Sequence, residues 1–325
     1  MRRREFLVLA GCAAACPLGA RAQQPVQAPL VGFINSGAES AGSAVGFRQG
    51  LSEAGFIEGR NVAVEYRFAE GRYERVPSLI AELVGRKVAV LVATGGAHTA
   101  VAAKAAGTTI PVVFANGSDP VRFGLVESLN RPGGNMTGIS FFTATLEAKR
   151  LGLLRELVPA ADNFGVLINP NNANAETQLQ DIEEGGRALG RPITIFKATD
   201  DREIEAAFES FSQQRIRAIL VAADPFFFGR HQKIVALAAR YKLPGIYEWR
   251  EFAQAGGLAS YGTNRMDGYR FAGVYVGRIL KGEKPSDLPV VQSDKFEFII
   301  NLRTAKALGL DVSLGLSAGA DELIE

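Results

Sequence analysis

The sequence contains few of the residues that most enzymes and metal proteins use for chemistry. Its 325 residues include only two histidines and two cysteines, and both cysteines, Cys12 and Cys16, lie near the N-terminus. The rest of the chain therefore cannot form disulfides or thiolate sites, and zinc sites of the His/Cys type lack ligands. His98 and His231 fall inside predicted helices, which leaves a Ser-His-Asp relay few candidates. We expect no catalytic residues, no metal site and no cofactor.

Excess charge and long apolar runs are also missing. Lysines and arginines number 36 against 34 acids, a net charge of +2. This balance lacks the excess of basic residues that binds nucleic acid, so we expect no nucleic-acid partner. Beyond the first 22 residues no apolar run reaches the roughly 18 residues of a membrane span. We expect a mature protein that is a soluble globule of two domains.

The N-terminus does contain a targeting pattern, which we predict to be a signal peptide of residues 1–22. Arginines 2–4 precede the apolar run Leu7–Ala15, and Ala20–Ala22 has the small residues, two apart, of a cleavage site. The Arg-Arg-x-Phe-Leu spacing is typical of a twin-arginine export signal, with an ordinary Sec signal as the alternative. Residues 9–12 also fit a lipoprotein box, in which Cys12 would be lipidated. We predict cleavage after residue 22 and a periplasmic protein.

Three short segments of the first half recur in the second half at intervals of about 130 residues. The segments recur in the same order along the chain. The pairs are Phe33–Asn35 with Leu167–Asn169, Leu91–Thr94 with Leu220–Ala223, and Ile110–Val113 with Leu243–Ile246. The repeat predicts two duplicated lobes, and a cleft between lobes is a favoured place for a small-molecule site.

Short apolar runs without alternation are typical of parallel strands covered on both faces. Eight such runs are separated by amphipathic segments that predict helices. They are Leu30–Ile34, Val62–Tyr66, Val88–Ala93, Pro111–Ala115, Gly165–Ile168, Ile193–Phe196, Ala218–Ala222 and Gly245–Tyr247. This order predicts an α/β protein with two doubly wound, Rossmann-like lobes.

Turn-rich residues and a late long helix place the predicted lobe boundaries. Asn130–Asn135 is a turn-rich stretch, and a return crossing is expected near Ser260–Asn264 because residues 267–280 form an amphipathic helix pattern. We predict a hinge between a first lobe of residues 29–138 plus about 262–283 and a second lobe of 139–261 plus about 284–325. The lobe of the C-terminal tail stays open.

Ligands of open α/β sheets bind beyond the carboxyl ends of the strands, so the loops there are candidate binding segments. These loops are rich in amides, hydroxyls, glycines, carboxylates and aromatic rings. The candidate ligand-binding residues are Asn35, Ser36, Thr94, Gly95, Gly96, Ser118, Asp119, Asn169, Asn172, Asp224, Tyr247, Glu248 and Tyr261.

Roles follow from the chemistry of these groups. Thr94 and Gly95 would hold a carboxylate through backbone N–H groups at a helix start. Asp119 or Asp224 would hold an amine, and Tyr247 or Tyr261 would contact the ligand side group. Each assignment has a structural alternative: the two aspartates precede prolines and suit capping, the asparagines suit loop backbone bonds, and the glycines suit a tight turn.

Several motifs together carry a family resemblance over residues 30–325. They are Ile110–Phe114, Ser118–Val121, Pro132–Gly138, Gly256–Gly262, Ile279–Gly282 and Asn301–Gly309. With them the chain resembles the ABC-transporter substrate-binding proteins related to the tryptophan/tyrosine-binding lipoproteins.

The resemblance implies a type I periplasmic-binding-protein fold and no enzymatic activity. It also implies a small polar or amino-acid-like ligand, aromatic in members whose ligand is known. Hinge closure would trap that ligand, and an ABC permease in the inner membrane would be the partner. We expect a monomer. Two other functions stay open: a ligand-sensing module for a receptor, and a hydrolase or isomerase that uses Asp119 or Glu248 with water.

Overall fold

The computed structural model describes residues 28–39 and 41–325; the predicted signal segment, with its twin-arginine and lipoprotein alternatives, lies outside them. The strands are β1 Leu30–Asn35, β2 Ala63–Phe68, β3 Val90–Thr94, β4 Val112–Asn116, β5 Met136–Ser140, β6 Phe164–Ile168, β7 Ile193–Lys197, β8 Ala218–Val221, β9 Gly245–Tyr247, β10 Ala259–Thr263, β11 Val291–Gln292, β12 Phe296–Asn301 and β13 Glu322–Ile324. The helices are α1 Ala41–Glu53, α2 Val76–Gly85, α3 Ala97–Ala105, α4 Glu147–Leu157, α5 Ala175–Leu189, α6 Asp201–Gln213, α7 Pro225–Phe228, α8 His231–Arg240, α9 Arg250–Gln254, α10 Arg265–Leu280, α11 Leu302–Ala307 and α12 Leu314–Gly319.

The strands form two separate sheets with the same central order. One sheet runs β11-β5-β4-β3-β1-β2 and the other β13-β12-β10-β9-β8-β6-β7. Within them β2-β1-β3-β4-β5 corresponds to β7-β6-β8-β9-β10, strand for strand. All pairs are parallel except β10 with β12. The predicted α/β class with two doubly wound lobes is therefore confirmed.

We call the first sheet with α1, α2, α3 and α10 lobe 1, and the second sheet with the other helices lobe 2. The chain passes between them after β5, after β10 and after β11.

The sheets correct the predicted boundaries in three places. Strand β5 continues lobe 1 to Ser140, and β10 keeps lobe 2 to Thr263. Residues 284–292, which the prediction assigned to lobe 2, lead into β11, and Val291 pairs with Ile139 of β5. The physical reason is that β5, β10 and β11 are short strands with mixed polarity, so no apolar run marks them.

Helix α10 joins lobe 1 although it follows lobe 2 in the chain. It packs along α1, where a Cβ on Gly50 would overlap the carbonyl of Arg270 and one on Gly273 would overlap the carbonyl of Phe47. Close approach of the two backbones thus needs these glycines. The contact places the start of α10, and with it Arg265 and Tyr269, beside the carboxyl ends of the lobe 1 strands.

Buried apolar side chains on both faces of each sheet form the core. Strands β1, β3, β4, β6 and β8 are buried almost throughout, as expected for parallel strands covered by helices. Among the described residues, no helix has the length and apolarity to span a bilayer.

Candidate functional site

A cavity lies between the carboxyl ends of the two parallel sheets and takes its walls from both lobes. Its volume, taken as the space open to the centre of a water molecule, is about 70 Å³. This is room for several waters or a small ligand. Lobe 1 contributes Asn35, Gly37, Ala38, Gly95, Gly96, Ala115, Asn116, Gly117, Phe141, Arg265 and Tyr269. Lobe 2 and the crossing after β5 contribute Thr143, Ala144, Asn172, Asn174, Ala223, Asp224, Pro225, Phe228, Glu248 and Trp249.

Asparagines at strand ends shape the loops around this cavity. The side-chain oxygen of Asn35 accepts the N–H of Gly37 at 2.7 Å, and Asn169 accepts the N–H of Asn171 at 3.0 Å. Asn116 accepts the N–H of Ser118 in the same way, at 3.0 Å. Such side-chain bonds two residues ahead turn the chain sharply after a strand. Asn35 and Asn169 therefore bond to the loop backbone, as their structural alternative proposed, and Asn35 also lines the cavity.

Asp224 lines the cavity, but its carboxylate is fully engaged by the protein. Its Oδ1 accepts the N–H groups of Phe226 and Phe227 and the amide of Asn169, at 2.9, 3.2 and 3.1 Å. Its Oδ2 accepts the amide of Asn172 and the hydroxyl of Tyr73, both at 2.7 Å. Burial raises the pKa of Asp224, while these donors oppose the shift. Asp224 is therefore the N-cap of α7, as the capping alternative held.

Glu248 is the other carboxyl group in the cavity wall, and it has fewer donors. Burial raises its pKa to about 8; the nearby Arg150 and a hydrogen bond from Thr143 oppose the shift, and the negative charge of Glu147 adds to it. At neutral pH the carboxyl is thus mostly protonated when the cavity holds no cation.

A buried ion pair supports Glu248 from behind. Arg150 and Glu147 are fully buried, and Arg150 Nη1 lies 2.9 Å from Glu147 Oε2. Glu147 Oε1 also accepts the side-chain amide of Gln178 and the N–H of Ala223, at 3.1 and 3.0 Å. One arginine therefore faces two acids, Glu147 and Glu248, which leaves this side of the cavity favourable for a further positive charge.

Aromatic rings form the second wall. The ring of Phe141 meets Trp249 edge to face at 5.7 Å between centroids, and Tyr269 at 6.4 Å. The guanidinium of Arg265 lies 4.0 Å from the ring centroid of Phe228 and donates to Glu251 at 2.7 Å. Flat apolar surface next to a cation suits a planar or aromatic group of a ligand.

Lobe 1 offers hydrogen-bond donors on the remaining side. Gly95 and Gly96 have positive φ angles of 78° and 96°, which directs the chain from β3 into the start of α3. The amide nitrogen of Asn116 is buried and has no hydrogen-bond partner among the described residues. A buried donor without a partner is costly, so a ligand acceptor at this point would be stabilising.

Four other predicted residues lie behind this lobe 1 wall. The hydroxyl of Thr94 donates to the carbonyl of Ile34 at 3.0 Å, and the hydroxyl of Ser36 donates to the carbonyl of Gly95. The hydroxyl of Ser118 accepts the amide of Asn174 at 2.9 Å. Asp119 accepts the N–H groups of Val121 and Arg122, which is its capping alternative. They shape loops and do not line the cavity.

Three predicted residues of lobe 2 also lie away from the cavity. Tyr247 is fully buried and stacks on Phe252 at 4.7 Å, beside a different cavity lined by α8, α9 and α11. Side chains alternate between the two faces of β10, and the ring of Tyr261 lies on the face away from the cavity. There it stacks on Phe296 with 5.8 Å between ring centroids. Asn169 stands behind Asp224.

Sequence reasoning missed most of the wall, since only six of its 21 residues were predicted. Arg265, Tyr269 and Phe141 belong to the lobe crossings and to α10, which no strand-end rule identifies. Asn116 and Asn174 follow strands or precede helices and could have been found by the rule that selected Asn35. Trp249 lies in the wall and packs on Phe141.

The lobes touch each other in the described structure. Besides the bond from Tyr73 to Asp224, Arg122 donates to the hydroxyl of Thr177 at 2.6 Å, and Asn174 of lobe 2 reaches Ser118 of lobe 1. The cavity is therefore enclosed from both sides. Within residues 28–39 and 41–325 no group of three or more His, Cys, Asp or Glu side chains is placed to hold a metal ion.

Two like α/β lobes that enclose a small cavity define the class of type I periplasmic binding proteins. Comparison with family models then identifies the family: residues 33–324 match that of the ABC transporter substrate binding proteins, and the chain belongs to this family. The resemblance inferred from the motifs is confirmed.

Three relatives are informative. A tyrosine-binding protein of Clostridioides difficile (strain R20291) is 28% identical over 266 residues, which are 82% of this chain and 76% of that protein. The crystal structure of an ABC domain in complex with L-Trp from Streptococcus pneumonia has a TM-score of 0.82 at 24% identity, covering 91% of this chain and 99% of that chain. The ligand-free, open structure of a substrate-binding protein with adhesive properties from Clostridium difficile has a TM-score of 0.64 at 26% identity, with coverages of 91% and 99%.

Proposed function

We propose that the protein is the solute-binding component of an ABC importer and captures an amino acid with an aromatic side chain between its lobes. The observation that carries the proposal is the cavity between the lobes. Its wall combines a buried carboxyl group, Glu248, with aromatic rings and with backbone N–H groups that have no hydrogen-bond partner in the described part of the chain. A zwitterion with a flat apolar group satisfies all three features at once.

The ammonium group binds at Glu248. Asp224 already accepts five hydrogen bonds, whereas Glu248 sits beside an arginine that is shared with Glu147. A bound ammonium group favours the ionised form of Glu248, and its positive charge compensates the negative charge of the buried carboxylate. Glu248 is thus the residue that selects for an amine.

The carboxylate binds to lobe 1. Gly95 and Gly96 line the cavity at the start of α3, and their N–H groups donate to no other group among the described residues. Asn116 adds its unpartnered amide, and Arg265 adds a positive charge. Backbone donors at a helix start together with a cation favour a carboxylate over a neutral group.

The side group of the ligand packs between Phe141, Phe228, Trp249 and Tyr269. Offset or edge-to-face contacts with these rings favour an aromatic group over an aliphatic one of similar size. The relatives support this chemistry, since one is described as tyrosine-binding and another holds L-Trp.

Hinge closure is the means of capture that we infer. The chain matches the L-Trp complex with a TM-score of 0.82 but the ligand-free, open relative with 0.64, although the second is slightly more identical. This difference supports our inference that the described arrangement is the closed state. A ligand that touches both lobes stabilises that state because only there are all its contacts made.

The transport role extends this capture. After export, most simply by the twin-arginine route, the protein works in the periplasm as a monomer, and its closed form docks on the permease of the importer. Catalysis is not required for any step, and stoichiometric binding is the expected activity.

Isothermal titration calorimetry with the common amino acids tests the proposal. We expect L-tryptophan or L-tyrosine to bind one to one, and indole-3-propionate, which lacks the amine, to bind at least 100-fold more weakly. Asp119→Asn, a carboxyl change outside the cavity, serves as the matched control and keeps the affinity. Equal binding of L-tryptophan and indole-3-propionate would remove Glu248 from its role, and no binding of any amino acid would remove the ligand class.

A further inference from the structure

Tyr73 and His98 connect the lobes outside the ligand cavity. Tyr73 begins the 3-10 helix Tyr73–Arg75 of lobe 1, and its hydroxyl donates to Asp224 of lobe 2 at 2.7 Å. The ring of His98 stacks on Tyr73 with 4.1 Å between centroids and an angle of 20°. Neither side chain lines the cavity.

His98 makes its own contact with lobe 2. Its Nε2 lies 2.8 Å from the carbonyl oxygen of Asn171 and 3.0 Å from the backbone nitrogen of Ala173. One ring nitrogen can serve only one of these partners at a time, by donating to the carbonyl or by accepting the N–H. Both partners belong to the loop between β6 and α5, so either tautomer connects the same two elements.

We propose that Tyr73 and His98 form a latch that stabilises the closed state directly, without contacting the ligand. The inference rests on the proposed capture by closure and assigns part of the closing free energy to the protein itself. It predicts that the ligand-free protein already populates the closed state to a measurable extent.

The environment of Asp224 explains why this contact can bias the lobes. Four of its five donors come from lobe 2, so its position does not depend on closure. Tyr73 is the partner that arrives with lobe 1. When the lobes close, Asp224 Oδ2 loses access to water, and the tyrosine hydroxyl replaces that water with a hydrogen bond to a charged group.

The position of Tyr73 keeps it a donor throughout the accessible pH range. Burial raises the pKa of the phenol well above its usual value, and the neighbouring Asp224 carboxylate adds to the shift. Burial also lowers the pKa of His98, which keeps the ring neutral against Tyr73 at neutral pH. In the described arrangement both members of the latch are thus neutral at neutral pH.

Glycines of lobe 1 bring the backbones close enough for these bonds. A Cβ on Gly71 would lie 2.8 Å from the ring of Phe226, and one on Gly96 would lie 3.2 Å from Pro225. The start of α7 therefore fits against lobe 1, next to the bond between Tyr73 and Asp224. The latch lies within a close-fitting contact surface.

Tyr73→Phe is the decisive variant, because it keeps the ring that stacks on His98 and removes only the hydroxyl. Tyr66→Phe is the matched control: its hydroxyl also bonds a carboxylate, that of Glu58 at 3.1 Å, but both residues belong to lobe 1. His98→Phe keeps a ring and removes the nitrogen that reaches the Asn171–Ala173 loop.

Distances between spin labels on Ala106→Cys in lobe 1 and Ala188→Cys in lobe 2 report the lobe arrangement of the exported protein. No other thiol is expected there, since Cys12 and Cys16 fall in the predicted signal segment. Without ligand, we expect a short-distance population in the wild type, a closed-to-open ratio about tenfold lower in Tyr73→Phe, a decrease in His98→Phe, and no change in Tyr66→Phe.

Calorimetry with L-tryptophan as the probe should show the affinity falling by the factor by which the closed fraction falls. Identical distance distributions in wild type and Tyr73→Phe, or a wild type without any closed population, would overturn the latch. Failure of L-tryptophan to bind would contradict the proposed ligand class but leave the ligand-free distance comparison as the test of the latch.

Discussion

The two lobes share one architecture but differ in the charge that they bring to the cleft. In lobe 1 the amide of Asn35 donates to the hydroxyl of Thr94 at the end of β3. In lobe 2 the equivalent Asn169 donates to the carboxylate of Asp224, beyond the equivalent strand β8. The duplicated asparagine keeps the same loop geometry, while its partner changes from a neutral group to an acid.

The difference extends over the whole cavity. Lobe 1 presents glycines, amides and the cation Arg265, whereas lobe 2 presents Asp224 and Glu248 and buries the pair Glu147 and Arg150 behind them. The proposed zwitterionic ligand would therefore meet groups of opposite charge on the two sides of the cleft. Two lobes of the same architecture thus differ in the groups at their strand ends, and this difference is what the proposed binding mode uses.

The largest expected effect comes from breaking the buried ion pair of lobe 2, compared with breaking an exposed ion pair of lobe 1. Arg150→Met leaves Glu147 buried without its cation, so we expect the free energy of unfolding to fall by about 3–5 kcal/mol. Arg48→Met removes a lobe 1 arginine whose side chain is half exposed and pairs with Glu58, and should cost roughly 0–1 kcal/mol. Urea unfolding measures both, and equal losses would show that the lobe 2 pair has no special energetic role.

The second largest effect is expected from removing the carboxyl group of Glu248, the proposed partner of the ligand's ammonium group. Glu248→Gln keeps the shape of the cavity wall but cannot compensate an ammonium group, so we expect the affinity for L-tryptophan to fall about 100-fold. The stability of the ligand-free variant should not fall, because the wild-type carboxyl is already mostly protonated at neutral pH. Calorimetry and thermal unfolding check the two statements, and unchanged affinity would place the ammonium elsewhere.

The pH dependence follows from the pKa of about 8 for Glu248 in the empty cavity. Below that pH the carboxyl must lose a proton before it can bind an ammonium, so the affinity should rise up to about tenfold per pH unit from pH 6 and level off above pH 8. Titrations in buffers of different ionisation enthalpy should show release of close to one proton at pH 6.5. An affinity independent of pH, or one that falls as the pH rises, would contradict this linkage.

Ligand-free stability should show the opposite trend. The pKa of Glu248 is raised on folding, so its contribution is full below the unfolded value of about 4.5 and is lost as the pH rises through about 8. Wild type should therefore lose stability relative to Glu248→Gln between these values. Parallel pH profiles of the two proteins would show that Glu248 is not buried in the empty cleft.

The fit between the lobes gives the smallest expected effect. Gly37 of lobe 1 has no left-handed backbone, and a Cβ there would lie 3.3 Å from the carbonyl oxygen of Pro225 in lobe 2. Gly37→Ala should thus disfavour closure slightly and weaken L-tryptophan binding about threefold, on the order of 0.6 kcal/mol. Gly85→Ala, where a Cβ meets nothing within 4 Å, is the control. A Gly37→Ala protein with wild-type affinity would mean that the lobes close less tightly than described.

Strands with apolar runs were predictable, and polar ones were not. All eight predicted runs became strands within a few residues, since a parallel strand covered on both faces must be apolar along its length. Strands β5 and β10 escaped prediction because Thr137, Ser140, Ser260 and Thr263 interrupt them. These hydroxyl residues are buried near the crossings between the lobes, where sequence pattern and burial disagree.

The site was predictable to the extent that it lies at strand ends. Asn35, Gly95, Gly96, Asn172, Asp224 and Glu248 are in the cavity wall as the topological rule requires. The rule could not tell which side of a loop faces the cleft, so Thr94 and Tyr247 were selected although they face the core. Nor could it bring Arg265 and Tyr269 to the cavity, because that depends on the packing of α10 against α1, a contact between segments more than 200 residues apart.

A crystal structure of the protein grown with L-tryptophan tests the account most directly. We predict one ligand between the lobes, with its amine within about 3 Å of a Glu248 carboxyl oxygen and its carboxylate against the Gly95–Gly96 segment. A ligand held by one lobe alone, or one whose amine lies away from Glu248, would contradict the account.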